Sequence, residues 1–251
     1  MLRLRLRTDD SSSSSRKFIG QEAAIVGCVI DLRGEDTVVM FPNQNVGLIS
    51  SAKAKSANPT NYDAGYGLTT ESVRLIELPH APASVAWATG AALLHRTQSR
   101  GNLVLVFTGA NEIERSRISR QFAHKCSLPI IYVQLETSPR KKSRSAPTRS
   151  TIQMPAIPVD KADLVAVYRV ASEAIDKARR GAGPTLIQCV SYQQRGTRPA
   201  LDVHPRDPIV YMEHYLRSKN LWSDELRKRA MEEVGRKQIP RAKQALRDHS
   251  S

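Results

Sequence analysis

Two short runs without a charged residue, Asn102–Phe107 (NLVLVF) and Pro129–Leu135 (PIIYVQL), stand on either side of a stretch with helical spacing. A strand that is apolar at nearly every position, rather than at every second one, suits burial on both faces. Between the runs, Glu112–Cys126 places Ile118, Phe122 and Cys126 four residues apart, with arginines at intervening positions. That spacing predicts a helix that buries the Ile118 stripe and turns its arginines to the opposite face. Strand, helix and strand in about 35 residues form a βαβ unit, so the strands are parallel and the crossover right-handed.

The pattern recurs downstream. Asp163–Arg180 carries Leu164, Val167, Tyr168, Ala171, Ile175 and Ala178 on one side of a helix, and Gly181 and Gly183 stop it. Pro184–Tyr192 (PTLIQCVSY) then reads as a third strand. Upstream, Ala83–Gln98 has helical spacing through Val85, Ala88, Ala92 and His95, and Gly20–Leu32 reads as a closely packed helix of small residues. Residues 33–80, polar and rich in Asn, Gly and Ser, yield no element by pattern. Two helices close the chain: Asp207–Lys219, and one opened by Ser223 as N-cap with Asp224 and Glu225 in its first turn. The expected fold class is α/β, a parallel sheet flanked by helices. It occupies residues 18–238, between a basic, serine-rich tail at 1–17 that reads as disordered and a frayed basic tail at 239–251.

At 251 residues, 40% of them hydrophobic, the chain is long enough for one such domain. Cys28, Cys126 and Cys189 lie far apart, without CxxC or Cys/His ligand spacing, the pattern of reduced thiols in a cytoplasmic protein. No apolar stretch approaches a membrane span, and the first residues lack the apolar core of a secretory signal. A net charge of +14 attracts polyanions in a salt-dependent way, and part of it is concentrated in residues 1–17 and in Pro139–Arg149. Aromatic residues make up only 5% of the chain, and neither a recognition helix, an RNP-like motif nor a zinc spacing is present. Nucleic-acid binding therefore ranks below other readings.

An open parallel sheet places its ligand at the carboxyl ends of its strands. Here those ends are Thr108–Asn111, Leu135–Pro139 and Gln193–Arg198. They offer Thr108, Glu112, Glu136, Thr137 and the arginines Arg140, Arg195 and Arg198, with no histidine and no paired aspartates. The arginines fit either an anion or ordinary solvated loop charge.

Ile19–Gly27 (IGQEAAIVG) is similar to the IGQEA segment that opens the core of the alpha subunits of thiamine-diphosphate-dependent 2-oxo acid dehydrogenases. His124–Val133 (HKCSLPIIYV) looks like their WKLPVIFV strand. Met154–Tyr192, with its IPVD and GAGPTLIQCVSY segments, resembles their IPVD and GKGPTLIE regions, and Asp207–Leu226 resembles their DPI..Y..YL helix. The four matches keep their order and cover most of residues 18–235. The resemblance implies the thiamine-diphosphate-binding, dehydrogenase alpha-subunit type of fold. It also implies oxidative decarboxylation of a 2-oxo acid, thiamine diphosphate held through magnesium, and a beta-type subunit that completes the site.

The sequence departs from the family where the cofactor should sit. Aligned without gaps from Leu128 and Pro129, the GDGA motif falls on Phe107, Thr108, Gly109 and Ala110, and the Asn pair on Glu136 and Thr137. A histidine-bearing loop falls on Tyr192–Arg198, with Arg195 and Thr197 at the histidine positions. Threonine brings no charge to a magnesium ion, and arginine stays protonated, so it grips phosphate but shuttles no proton near neutral pH. The positions matching the cofactor site are thus Thr108, Gly109, Ala110, Glu136, Thr137 and Arg195, with no catalytic residue and no metal ligand assigned. The expectation is a cytoplasmic, catalytically impaired or non-catalytic homologue that pairs with a beta-type subunit or with itself. Two other readings stand beside it. One is an active component completed by a beta-type partner, with Glu136 reaching inward to restore a carboxylate; the other is a basic polyanion-binding module.

Overall fold

The computed structural model describes residues 20–40, 54–56, 73–77, 81–98, 101–135, 154, 156–190 and 207–232. The expectations for the tails at 1–17 and 239–251, for Pro139–Arg149, and for Glu136, Thr137, Arg140, Arg195, Thr197 and Arg198 lie outside the described residues. The described strands form one sheet: β1 (Thr37–Met40), β2 (Ala54–Ser56), β3 (Val73–Glu77), β4 (Val104–Thr108), β5 (Ile130–Leu135), β6 (Ala156–Asp160) and β7 (Thr185–Val190). Their order is β2-β3-β1-β4-β5-β7-β6, and every pairing is parallel. The helices are α1 (Glu22–Val29), α2 (Ala81–Gln98), α3 (Ala110–Arg115), α4 (Arg117–Lys125), α5 (Leu164–Arg179) and α6 (Pro208–Ser218). A further helical turn series runs over 224–232. The expected α/β class, with helices flanking a parallel sheet, is what the chain forms.

The three central strands β1, β4 and β5 are buried at every position except Gln134, as helices on both faces require. On one face lie α1 and α5, packed over Val38, Met40, Leu105, Phe107, Ile131, Val133, Ile187 and Cys189. The small residues of α1 let these helices close up: a Cβ added at Gly27 would stand 2.8 Å from Val167 Cγ1 and 3.2 Å from the Tyr168 backbone nitrogen. Asp163 caps α5 by accepting from Ala166 N at 3.0 Å. Gly181, at φ +71°, ends it, with Ala182 N–H donating back to Lys177 O at 3.1 Å. Tyr168, expected on the core side of α5, is 37% exposed, and Ala174 fills the buried stripe instead. The same face is locked at the amino end of the strands. Asp36, fully buried, accepts from Arg33 N at 2.7 Å and Leu103 N at 3.0 Å, and pairs with Arg179 at 2.8 Å.

On the other face α2, α3 and α4 cover Val39, Val104, Val106, Ile130, Tyr132 and Leu186. The α2 stripe Val85, Ala88, Ala92 and His95 is buried as its spacing predicts. The helix that follows β4 departs from expectation in two ways. It breaks at Ser116, whose hydroxyl donates to Ile113 O at 3.0 Å. Its stripe is also reversed: Ile118 is 83% exposed and Phe122 44%, whereas Arg120 and Ala123 are buried. Ile113, Ser116, Arg120 and Ala123 are themselves spaced by three and four, so two stripes compete on one helix. The buried Ile113 at one end and Leu128 at the other, where Leu128 N donates to Ala123 O at 2.9 Å, hold the second stripe against the sheet.

Residues 33–80, which yielded no pattern, contain β1 in the middle of the sheet and β2 and β3 at its edge. Strand β6, on the opposite edge, gives no clear pattern either, because an exposed Pro158 interrupts its short apolar run. The chain crosses from β3 on one side of β1 to β4 on the other. The crevice outside the ends of β1 and β4 is thus a point where strand order reverses, the position at which open parallel sheets bind ligands.

Candidate functional site

Strand β4 ends at Thr108 beside that crevice. Thr108 is fully buried, and its hydroxyl donates to the adjacent Gly109 O at 3.3 Å. Gly109 leaves the strand in extended geometry (φ −92°, ψ 173°), and Ala110 opens α3. Ile113 N donates to Gly109 O at 3.1 Å, which ties the loop to the helix. The side chain of Glu112 folds back over this turn, and a Cβ at Gly109 would collide with the Glu112 carboxylate. Three of the expected site positions, Thr108, Gly109 and Ala110, therefore lie together at the switch point, with Glu112 above them. Glu136, Thr137 and Arg195 lie outside the described residues.

The sheet register adds two residues that the sequence reading passed over. Thr108 aligns with Gln134 of β5, and Gln134 with Gln188 of β7. Alternation along each strand puts all three on the same face as Val106, Tyr132 and Leu186, the face covered by α2, α3 and α4. The result is a row of uncharged polar side chains at the end of β4, one residue from the carboxyl end of β5 and two from that of β7. Gln188 Nε2 donates to Gln134 Oε1 at 3.3 Å, leaving the Gln134 amide N–H groups and the Gln188 carbonyl to face outward from the pair. The signal for both was a single glutamine within an otherwise apolar strand, IIYVQL and TLIQCV.

The described part of the site thus combines one carboxylate (Glu112), one buried hydroxyl already committed to a carbonyl, and two amides. Among the described residues, no group of three or more His, Cys, Asp or Glu side chains is placed to hold a metal ion. All three cysteines are free. Cys28 and Cys189 are buried on the far face, where the neighbouring Cys189 and burial hold the Cys28 thiol well above its usual range. They serve packing as neutral thiols. No helix among the described residues is long and apolar enough to cross a membrane.

Comparison with known proteins extends over nearly the whole chain. The sequence profile of the family described as dehydrogenase E1 component matches residues 14–250. The 2-oxoisovalerate dehydrogenase subunit alpha of Bacillus subtilis is 26% identical over 262 residues, covering 86% of this chain and 76% of the relative. The 3-methyl-2-oxobutanoate dehydrogenase subunit alpha of Mycobacterium tuberculosis is 28% identical over 237 residues, 82% of this chain and 64% of the relative. A chloroplastic pyruvate dehydrogenase E1 component subunit alpha-3 of Oryza sativa is 42% identical over 79 residues, 27% of this chain and 19% of the relative. The matches thus span between 19% and 76% of these relatives' length. Among solved structures, a 2-oxoglutarate:ferredoxin oxidoreductase from Magnetococcus marinus aligns over 68% of this chain and 28% of its own, with a TM-score of 0.43 and 15% identity.

Proposed function

The chain belongs to the dehydrogenase E1 component family, as a homologue of its alpha subunits, and on that premise we propose that it is a member with impaired or absent catalysis that acts through assembly. The reading rests on one observation. At the position matching the family's metal-binding aspartate stands Thr108, fully buried, uncharged and hydrogen bonded to its own neighbour.

Magnesium takes six oxygen ligands and relies on carboxylate together with phosphate. The described residues at the end of β4 do not fit that pair. Thr108 brings no charge, and its hydroxyl proton is spent on Gly109 O. The Glu112 carboxylate lies over Gly109, on the loop that would have to admit a diphosphate. A carboxylate on that approach repels the diphosphate unless a cation is held between them, and the donors for that cation are missing among the described residues. Gln134 and Gln188 beside it are neutral and neither donate nor accept a proton in acid–base catalysis. What remains is a scaffold with its helical faces intact, suited to pairing with a beta-type subunit or with a second copy of itself. The domain reading belongs to the same proposal: one alpha-subunit-like domain over 18–238 with basic tails, in a cytoplasmic protein.

Isothermal titration of the full chain with thiamine diphosphate, first with magnesium and then with EDTA, tests this. The expected outcome is no saturable heat in either buffer from protein shown to be folded. Magnesium-dependent saturable binding would overturn the reading and restore an active component, with Glu136 or a partner chain rebuilding the site. Heat that is independent of magnesium and vanishes at moderate salt would point instead to the nonspecific polyanion attraction of a +14 surface.

A further inference from the structure

Helix α2 carries a second stripe besides the buried Val85, Ala88, Ala92 and His95. Trp87, Gly90, Ala91 and Leu94 follow the i, i+3, i+4, i+7 spacing of one helix face. Trp87 is 41% exposed and Leu94 54%, with Leu93 (38%) beside them. From Ala81 to Leu94 the helix has no charged side chain, in a chain of net charge +14. A helix with one face on the core ordinarily turns charge to the other, and a helix without charge on either side is a buried one. Here one apolar face is left uncovered.

Gly90 lies in the middle of the helix, where glycine costs stability relative to alanine. A Cβ built on it meets nothing within 4 Å, so packing inside the fold does not call for glycine there. Gly27 is the contrast, since its missing Cβ makes room for Val167 of the same domain. At Gly90 the room is on the outside, where it lets a second backbone come close.

The spacing of the face selects the partner. Trp87 and Leu94 stand three residues to either side of the Gly90–Ala91 pair. A twofold axis through that pair, with two α2 helices antiparallel, sets Trp87 of each copy against Leu94 of the other. A twofold contact requires this self-complementarity. Charge points the same way. Two copies at +14 repel each other, and on the uncharged face of α2 they meet without setting like charges together. Helix α4 lies beside α2, and Arg96 Nη1 donates to Ser127 O at 2.8 Å where both helices end. Ile118 stands nine residues before Ser127, and Trp87 nine before Arg96, so the exposed Ile118 and Phe122 flank the stripe. The exposed Arg96, Arg117 and Lys125 then fall at the edge. A stable dimer covers about 800 Å² on each copy, with an apolar centre and a hydrated polar rim.

We propose that the chain pairs with a second copy of itself through α2, the two helices crossing antiparallel at Gly90. This rests on the assembly reading above and names its partner and its face.

Sedimentation equilibrium of the full chain, over a dilution series at physiological ionic strength, should show a reversible monomer–dimer equilibrium. Trp87→Ser and Gly90→Leu, each shown to be folded by circular dichroism, should weaken it about tenfold or more, because the axis counts every lost contact twice. Leu221→Ser should leave it unchanged, since this exposed side chain follows α6, which packs against α1 on the opposite face. A monomer at every concentration overturns the proposal and leaves the face to a beta-type or other polypeptide. A dimer that both variants leave intact overturns it too. Tryptophan emission supplies a readout that needs no change in α2. With Trp222→Phe, Trp87 is the one remaining tryptophan, and its emission should move to the blue as dimers form. An unmoved emission maximum in protein that dimerises overturns the proposal. The cofactor titration reads a separate quantity: a monomer that takes up no thiamine diphosphate overturns self-pairing alone, and an α2-paired dimer that takes it up overturns impaired catalysis alone.

Discussion

The two faces of the sheet are closed in different ways. Under α1 and α5 the packing is tight and its central polar group is saturated within the fold: Asp36 accepts two backbone N–H groups and pairs with Arg179, which also donates to Gly101 O and Asp31 O. Under α2, α3 and α4 the sheet presents the polar row from Thr108 to Gln188, α4 buries Arg120 with its Nε lacking an acceptor, and Ile118 and Phe122 point to solvent. A polar group saturated within the fold in this way has nothing left to offer a ligand. The opposite face keeps donors and a carboxylate in reserve, beside the candidate site positions at the end of β4.

That contrast can be broken most forcefully at the saturated face. Asp36→Ala strands the Arg179 charge and orphans two backbone donors, so it should cost about 3–5 kcal/mol, read as a lower midpoint in urea unfolding. A loss below about 1 kcal/mol would mean that the amino-end lock is not what closes this face. Next in size is Gly27→Ala. The new Cβ meets Val167 and the Tyr168 backbone nitrogen, and overpacking between α1 and α5 should cost about 1–3 kcal/mol by the same measurement. A neutral or stabilising result would show that the helices can part without penalty.

On the other face the effects should be smaller. The Tyr132 phenol is raised from its ordinary value to about 12 by burial. The folded state therefore favours the neutral form, and the stability this group supports is full below about pH 10 and is lost as pH rises through about 12. Tyr132→Phe should flatten that part of the alkaline unfolding profile and leave the profile at neutral pH little changed in slope. An unchanged alkaline profile would mean that other groups set it. Smallest of all is Ile118→Ser, expected to shift stability by less than about 0.5 kcal/mol. A core isoleucine would cost several times that, so this substitution asks directly which stripe of α4 meets the sheet.

Much of the scaffold was legible in the residues. The runs at 102–107 and 129–135 gave β4 and β5 and their parallel pairing. The α2 and α5 stripes and the Ser223 cap that accepts from Leu226 N at 3.0 Å follow from local spacing and local hydrogen bonds. Strand β1 was not legible, although it is central: TVVM is four residues long and is flanked by polar sequence, too short to show a period. Of the candidate site, the apolar run at 102–107 marked where β4 ends, and Thr108, Gly109 and Ala110 lie there. Gln134 and Gln188 were not singled out, since each is one polar residue in its own strand and only the register makes them neighbours.

The sequence by itself determined the α/β alternation, most of the helices with their caps, and the family, since each of these rests on periodicity, on contacts within a few residues, or on motifs in a fixed order. Only the tertiary structure decided the strand order, the polar row across β4, β5 and β7, and the burial of Arg120 in place of Ile118. Those outcomes depend on contacts between segments far apart in the chain. Spacing defines which side chains share a stripe, but which of two stripes faces inward is settled by the anchors at either end, here Ile113 and Leu128, and by the sheet they reach.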